Sequence, residues 1–176
     1  MSPCMQQGLS QFFMTIIDAS LENIPQIQRI AYATWPSAYG EIISETQIHY
    51  MLATMYSTGI LTKQLQEGHH FALAESEGKA IGFAGYAPTE DSKVYKLHKL
   101  YVLPNIQKEG AGKALLHYAI DFAKNAGAEK LQLNVNRSNN AKNFYEKNGF
   151  QVIGEEDIDI GNGYFMNDYV MEFSLQ

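Results

Sequence analysis

The apolar residues of this chain recur at helical spacing in its first part and alternate from position 71 onward. Met14 to Asp18 reads as a first strand. Ser20 is placed to cap a helix from Leu21 to about Thr34, with Ile24, Ile27, Ile30 and Ala31 as its apolar stripe, and Pro36 is expected to end it. Ser44-Glu45-Thr46-Gln47 has the form of a capping box; it opens a second helix that sets Ile48, Met51, Leu52 and Met55 on one face. Thr62 is placed to cap a short third helix ending at Gln66.

From Phe71 the period is two. Phe71 to Glu75 and Ala80 to Tyr86 flank Ser76-Glu77-Gly78-Lys79, which reads as a hairpin turn. Lys93 to Leu103 is a longer strand with Val94, Lys96, His98, Leu100 and Val102 on one face, and Tyr95, Leu97, Lys99 and Tyr101 on the other. Gly112 to Ala126 returns to helical spacing through Leu115, Ala119, Phe122 and Ala126, and Gly127 stops it. Leu131, Leu133 and Val135 alternate with polar residues up to Asn136, and a helix follows from about Asn140 to Asn148. Phe150 to Ile160 and Tyr164 to Phe173 are the last strands, joined through Gly161-Asn162-Gly163. The expected fold is α/β of the α+β type: a mixed, largely antiparallel central sheet of about seven strands flanked by helices.

Composition narrows the picture further. A chain of 176 residues with 45% hydrophobic content suits one domain, taken as 14–176, with 1–13 as an N-terminal extension. The net charge of −6 and the pI near 5.3 argue against nucleic acid as a partner and suit a cationic or amine substrate. Cys4 is the only cysteine, so no intrachain disulfide and no cysteine metal cluster can form, and His69 and His70, being adjacent, cannot share a strand face as a metal pair. No metal is expected. There is neither a signal-like N-terminus nor an uncharged apolar run of about 18 residues, so the reading is cytoplasmic, without a membrane partner.

The chemistry concentrates in Leu100-Tyr101-Val102-Leu103-Pro104-Asn105-Ile106-Gln107-Lys108-Glu109-Gly110-Ala111-Gly112-Lys113. An apolar strand runs there into a glycine turn and then a helix. Gly110 and Gly112 lack a Cβ, so backbone N–H groups and the first-turn donors of the helix can approach an anion, with Lys108 and Lys113 adding charge. A second block lies downstream, Asn139-Asn140-Ala141-Lys142-Asn143-Phe144-Tyr145-Glu146-Lys147-Asn148-Gly149-Phe150.

Gln-x-x-Gly-x-Gly after a strand, followed by Asn-x-Ala-x-x-Phe-Tyr-Glu-Lys-x-Gly-Phe, resembles the GNAT superfamily of acetyl-CoA-dependent N-acetyltransferases. Met166-Asn167-Asp168-Tyr169-Val170-Met171-Glu172 looks like its spermidine/spermine N-acetyltransferase-like branch. The resemblance implies acetyl-CoA as cosubstrate, lying in a splay between the fourth and fifth strands. Tyr101 and Val102 would offer backbone groups there, and Gln107, Lys108, Glu109, Gly110, Ala111, Gly112 and Lys113 would hold the pyrophosphate. Asn139, which stands two residues before Ala141 where the family pattern has three, would reach the pantetheine or simply cap the helix. Asn143 and Lys147 lie one and two turns further on.

The resemblance also makes Tyr145 the general acid that protonates the departing thiolate, its hydroxyl being protonated at an ordinary pKa of about 10. A buried aromatic beside Phe144 is the plain alternative. His98, on the central strand, is the candidate proton acceptor. Tyr32, Trp35 and Tyr39 fall in the part that resembles the acceptor wall, and Glu155, Glu156, Asp157, Asp159 and Asp168 make the last hairpin acidic. The implied reaction is direct attack of a primary amine in a ternary complex, with a small amine or polyamine favoured. A peptide, an amino acid or an antibiotic as acceptor, and a silent CoA-binding regulator, are the alternatives; a homodimer stays open.

Overall fold

A computed structural model describes residues 13–176. Residues 1–12, which hold Cys4 and most of the expected extension, lie outside the described residues, as do the side chains of Gln107, Lys108 and Glu109. The strands are β1 (Met14–Asp18), β2 (His70–Ser76), β3 (Lys79–Pro88), β4 (Val94–Val102), β5 (Lys130–Asn136), β6 (Gln151–Gly161) and β7 (Tyr164–Ser174). They form one seven-stranded sheet in the order β1-β2-β3-β4-β5-β7-β6. Every neighbouring pair is antiparallel except β4 and β5. The helices are α1 (Ile24–Tyr39), α2 (Glu45–Met55), α3 (Thr58–Gln66), α4 (Ala111–Asn125) and α5 (Ala141–Lys147).

Two clusters cover the two faces of the sheet. One gathers Leu115, Leu116 and Ala119 of α4 with Ala84, Tyr86, Leu97, Leu131, Leu133 and Tyr145. The other gathers Ile27, Ile30, Trp35, Met51, Leu52 and Leu61 of α1 to α3 with Phe71, Leu73 and Phe83. Alternate residues of β2 feed the two, as period two requires; in β3 the phase shifts at Ile81, which has no partner between the Ala74–Gly82 and Glu75–Ala80 pairs, so Ala80 and Phe83 join one cluster and Ile81, Ala84 and Tyr86 the other.

Four expectations change at this level. The helix expected from Leu21 begins as a 3₁₀ turn, Leu21–Asn23, in which Ser20 Oγ accepts from the Glu22 amide and Asn23 Oδ1 from the Ser20 amide. The α-helix then runs through Pro36 to Tyr39 rather than stopping. The ring of Trp35 lies 4.6 Å from that of Tyr39 one turn on, and the Gly40 amide donates to the Pro36 carbonyl at 3.0 Å, so the last turn is held despite the donor that proline lacks. In α2, Ser44 does cap the Gln47 amide, but the Gln47 side chain turns away to donate to the Phe165 carbonyl of β7. The box is therefore half made, and its second half ties α2 to the last hairpin. The third helix starts five residues early, at Thr58, because Ser57 rather than Thr62 is its cap.

The fourth difference lies in β4. Its register against β3 pairs Lys99 with Gly85 but Leu97 with Tyr86, so His98 is an extra residue, a β-bulge. One inserted residue inverts the side-chain phase of the strand beyond it. Tyr95 and Leu97 before the bulge, and Leu100 and Val102 after it, all join the α4 cluster. Tyr101 packs with the α1–α3 cluster, and Lys99 lies between the rings of Tyr56 and Phe71. The uninterrupted alternation expected for this strand is thus broken at His98.

Candidate active site

Pairing between β4 and β5 covers only Val94–Leu97 and Lys130–Leu133, while the strands continue to Val102 and Asn136. Beyond that point they splay. A small cavity of about 60 Å³ fills the split, lined among others by Tyr39, His98, Lys99, Asn134, Asn139 and Tyr145. It lies beside a cleft of about 580 Å³ bounded by α1, the end of β4, Gly112 and the 138–145 segment. Leu100, Tyr101, Asn139, Ala141 and Tyr145 line both spaces.

One rim of the cleft is the entry to α4. Leu103 ends the strand, a 3₁₀ turn covers Pro104–Glu109, and Gly110 follows in the left-handed conformation, φ +80°. A Cβ on Gly110 would meet nothing within 4 Å, so the glycine answers to its backbone angle and not to crowding. At Gly112 a Cβ would lie 3.8 Å from Phe144 Cζ and from Val102 Cγ2, an ordinary contact. The turn itself therefore faces open space. The amides of Ala111, Gly112 and Lys113 in the first turn of α4 have no acceptor within the helix and point along its axis toward that space. Lys113 is exposed beside them.

The other rim is the 138–145 segment. Asn139 Oδ1 accepts from the Ala141 amide at 2.9 Å, so it satisfies the first donor of α5 from the residue before the N-cap, Asn140, while the side chain also approaches the Tyr39 hydroxyl. Asn139 lines both spaces. Asn143 and Lys147 are exposed on the outer side of α5 and line neither cavity. Tyr145 is buried, with its ring edge-on to Phe144 and Phe150 at 5.3 and 5.7 Å, and burial pushes its hydroxyl above the ordinary tyrosine range. It holds its proton firmly.

Of the acceptor-wall aromatics, Tyr32 is 52% exposed and borders neither space, and Trp35 is buried in the core. Tyr39 borders the smaller cavity, its hydroxyl 2.9 Å from that of Tyr101. The α1 side of the cleft is instead made by Thr34, Ser37, Ala38 and Glu41. Their spacing of three, one and three is the helical face adjoining the apolar stripe, which the Pro36 stop removed from consideration.

Sequence reasoning also passed over Lys99 and Asp168 as separate sites. Lys99 is only 4% exposed; its Nζ donates to Gln64 Oε1 at 2.8 Å and lies 5.2 Å from the Tyr56 and Phe71 ring centres. Burial lowers its pKa to about 8. His98 beside it is lowered to about 4, by loss of hydration first and then by Lys96, His69 and Lys99, so its imidazole is neutral at pH 7. Asp168 is 6% exposed, and burial raises its pKa against the opposing effect of the Asn134 amide.

A split parallel pair beside a helix N-terminus, with a protonated tyrosine between them, is an arrangement that can receive a phosphate-bearing thioester along a strand edge. The comparisons with known proteins agree: residues 24–150 match the Acetyltransferase (GNAT) family, and the chain belongs to it. It is an acetyltransferase that uses acetyl-CoA. Among relatives, an uncharacterised N-acetyltransferase of Mycobacterium tuberculosis is 30% identical over 153 residues, covering 86% of this chain and 97% of the relative. The spermidine N(1)-acetyltransferase of Thermoplasma acidophilum is 28% identical over 159 residues, 87% of this chain and 92% of that one. The PaiA N-acetyltransferase of the same organism, solved in complex with coenzyme A, superposes with a TM-score of 0.80 at 27% identity, covering 92% of this chain and 99% of that one. No helix among the described residues is long and apolar enough to cross a membrane.

Proposed function

We propose that this protein transfers acetyl from acetyl-CoA to a primary amine of a small amine or polyamine, by direct attack within a ternary complex. The observation that carries the reading is the position of Tyr145, which borders both the cleft beneath α4 and the split between β4 and β5. Acetyl-CoA supplies an acyl carbon on a good leaving group. Everything else falls to the chain.

The first-turn amides of Ala111, Gly112 and Lys113 receive the pyrophosphate, with residues 107–110 forming the turn before them. The edge of β4 at Tyr101 and Val102, together with Asn139, aligns the pantetheine as an added strand. As the new C–N bond forms and the C–S bond breaks, Tyr145 gives its proton to the sulfur. The amine must shed one proton. Neutral His98 can relay it outward, although its low basicity keeps it from holding the proton at pH 7. Tyr39 and the Ser37–Glu41 turn of α1 shape the approach of the acceptor. Asn143 and Lys147 are left as solvated helix residues, at most touching the outer end of the cofactor.

Support for an amine of small size comes from the acidity of the chain and from its likeness to a spermidine acetyltransferase across 159 residues. The test is acceptor-dependent thiol release from acetyl-CoA across monoamines, diamines, polyamines, amino acids and peptides. Turnover confined to peptides or amino acids would overturn the acceptor class and leave the acetyltransferase.

A further inference from the structure

The acidic run of the last hairpin divides into two halves with different fates. Arg137 takes Glu155 and Asp157, and Asp159 accepts the Gly161 amide at the turn. Tyr169, on the same side as Glu155, lies under Lys142 of α5. Asp168 and its cross-strand partner Glu156 therefore point the other way, to the face that carries α1 to α3. There Asn134 donates to Glu156 Oε2 at 3.0 Å and to Asp168 Oδ2 at 3.5 Å. Asp168 Oδ1 is buried and has no hydrogen-bond partner.

Such an oxygen is costly, because a buried carboxylate loses hydration that nothing replaces. Two carboxylates held by one amide repel each other as well. The arrangement lacks a donor that carries positive charge. Among the described residues the available cations do not supply it: Arg137 is committed on the opposite face, and Lys96 of β4 lies near enough to act electrostatically but forms no ion pair. The position is also the right one. Asp168 is opposite Asn136 at the end of β5, the point from which the 138–145 lining of the cleft departs, and its charge is felt by the Tyr39 hydroxyl in the split.

We propose that Asp168, with Glu156 and Asn134, is the docking site for the protonated, non-reacting amino group of an acceptor with two or more amines. The inference rests on the small-amine reading above and narrows it to diamines and polyamines. An ammonium brings three donors. One satisfies Asp168 Oδ1, a second bridges to Glu156, and the remaining carbon chain leads toward the split, where the neutral amine is acetylated. Lys96 works against binding in part, so the site favours an ammonium that reaches the buried oxygen over one that only skirts the surface. The same reasoning excludes Glu155 and Asp157 from recognition, since Arg137 already occupies them.

The test uses Asp168→Asn, which keeps shape and removes charge. Because it deletes an unpaired buried carboxylate, the variant should melt no lower than wild type, and the gain should fade as pH falls toward 3.8 and be absent below it, where the carboxyl is protonated in folded and unfolded chains alike. Calorimetry of 1,4-diaminobutane with the coenzyme A complex should show affinity at least about tenfold weaker in the variant. In turnover, KM for 1,4-diaminobutane and spermidine should rise by a similar factor with kcat little changed, while butylamine kinetics stay the same. Glu156→Gln should act in the same direction with a smaller effect, and Asp157→Asn should not act at all. Diamine affinity equal in wild type and Asp168→Asn, or absent from wild type, overturns the docking site. A fall in kcat for butylamine and diamine alike, with a displaced pH profile, also overturns it and makes Asp168 a proton-handling group. Asp168-dependent diamine binding without acetylation would instead retain the site and reject the proposed acceptor reading.

Discussion

The two faces of the sheet are built on opposite terms. Under α4 the packing is mainly aliphatic, from Leu115 and Leu116 to Leu131 and Leu133, with hydroxyls only from tyrosines such as Tyr86 and Tyr145, and the cofactor reading there relies on backbone amides. Under α1 to α3 the buried polar groups accumulate: Thr34, Gln47, Lys99, Asn136 and Asp168 all lie on that side. Among the described residues, the Tyr86 hydroxyl in the α4 cluster makes no hydrogen bond, and the Trp35 indole N–H and Tyr56 hydroxyl on the polar face approach each other without reaching full hydrogen-bond geometry. Backbone recognition tolerates a dry, closely packed support, since peptide groups need only correct geometry. Side-chain recognition of a charged acceptor requires polar groups to be stored in the core, at a cost in stability that the apolar face must offset.

The largest effect that would break this comparison is on chemistry. Tyr145 sits on the apolar side yet is the one residue there assigned a side-chain role. Tyr145→Phe keeps the ring against Phe144 and Phe150, so acetyl-CoA affinity should hold while the single-turnover rate of acetyl transfer falls by about 10² to 10⁴. An unchanged rate with the fold intact would make Tyr145 a packing residue and leave the apolar face without side-chain chemistry.

Next comes the turn. Gly112→Asp should weaken acetyl-CoA binding by much more than about tenfold, because a carboxylate enters the first turn of α4 where the pyrophosphate is received. Gly112→Ala should do far less, since its Cβ fits at 3.8 Å from its neighbours. Calorimetry of the pair separates charge from bulk; equal losses for both would mean that the space, and not the amides, was decisive.

The polar face answers through stability. Lys99 has its pKa lowered by burial, so the folded chain binds its proton less readily than the unfolded chain, and the penalty is complete below about pH 8 and lifts as pH rises toward 10.5. Lys99→Met should therefore raise Tm at pH 7, by on the order of 1–3 kcal/mol of stability, with the advantage shrinking between pH 8 and 10.5 in melts followed by circular dichroism. A lower Tm at pH 7 would show that the Gln64 bond and the two rings more than compensate the charge. The smallest expected effect concerns salt. Glu156, the exposed carboxylate of the docking site, should make KM for spermidine rise by about a factor of a few between low and 0.15 M ionic strength, while KM for a monoamine barely moves.

Much of the fold could be read along the chain because burial imposes a period. Strands β1, β5 and β7, the hairpin at Glu77-Gly78 and helix α4 fall within a residue or two of their expected limits. The exceptions share a cause. Pro36 and Thr62 are local signals, and each was overruled by tertiary packing or by a better cap, Trp35 against Tyr39 in one case and Ser57 in the other. Within the site, the glycine turn and Tyr145 announce themselves by motif. Lys99 and Asp168 do not, because nothing in a lysine or an aspartate on a strand tells whether a bulge upstream or an arginine across the hairpin has left it buried or paired. That information lies in register, which a single sequence carries only faintly.

The extra residue at His98 acts as a spacer between two phases of one strand. Upstream of it, every second side chain from Tyr95 is oriented by the contact with α4; downstream, the count restarts, so Leu100 and Val102 stay in the apolar layer and Lys99 and Tyr101 turn to the side covered by α1 to α3. Position 98 thus matters as an interval before it matters as an imidazole. The interval sets the frame: with one residue fewer and the upstream register kept, alternation alone would put Leu100 and Val102 on the α1–α3 side and Tyr101 under α4, exchanging the two surfaces of the strand.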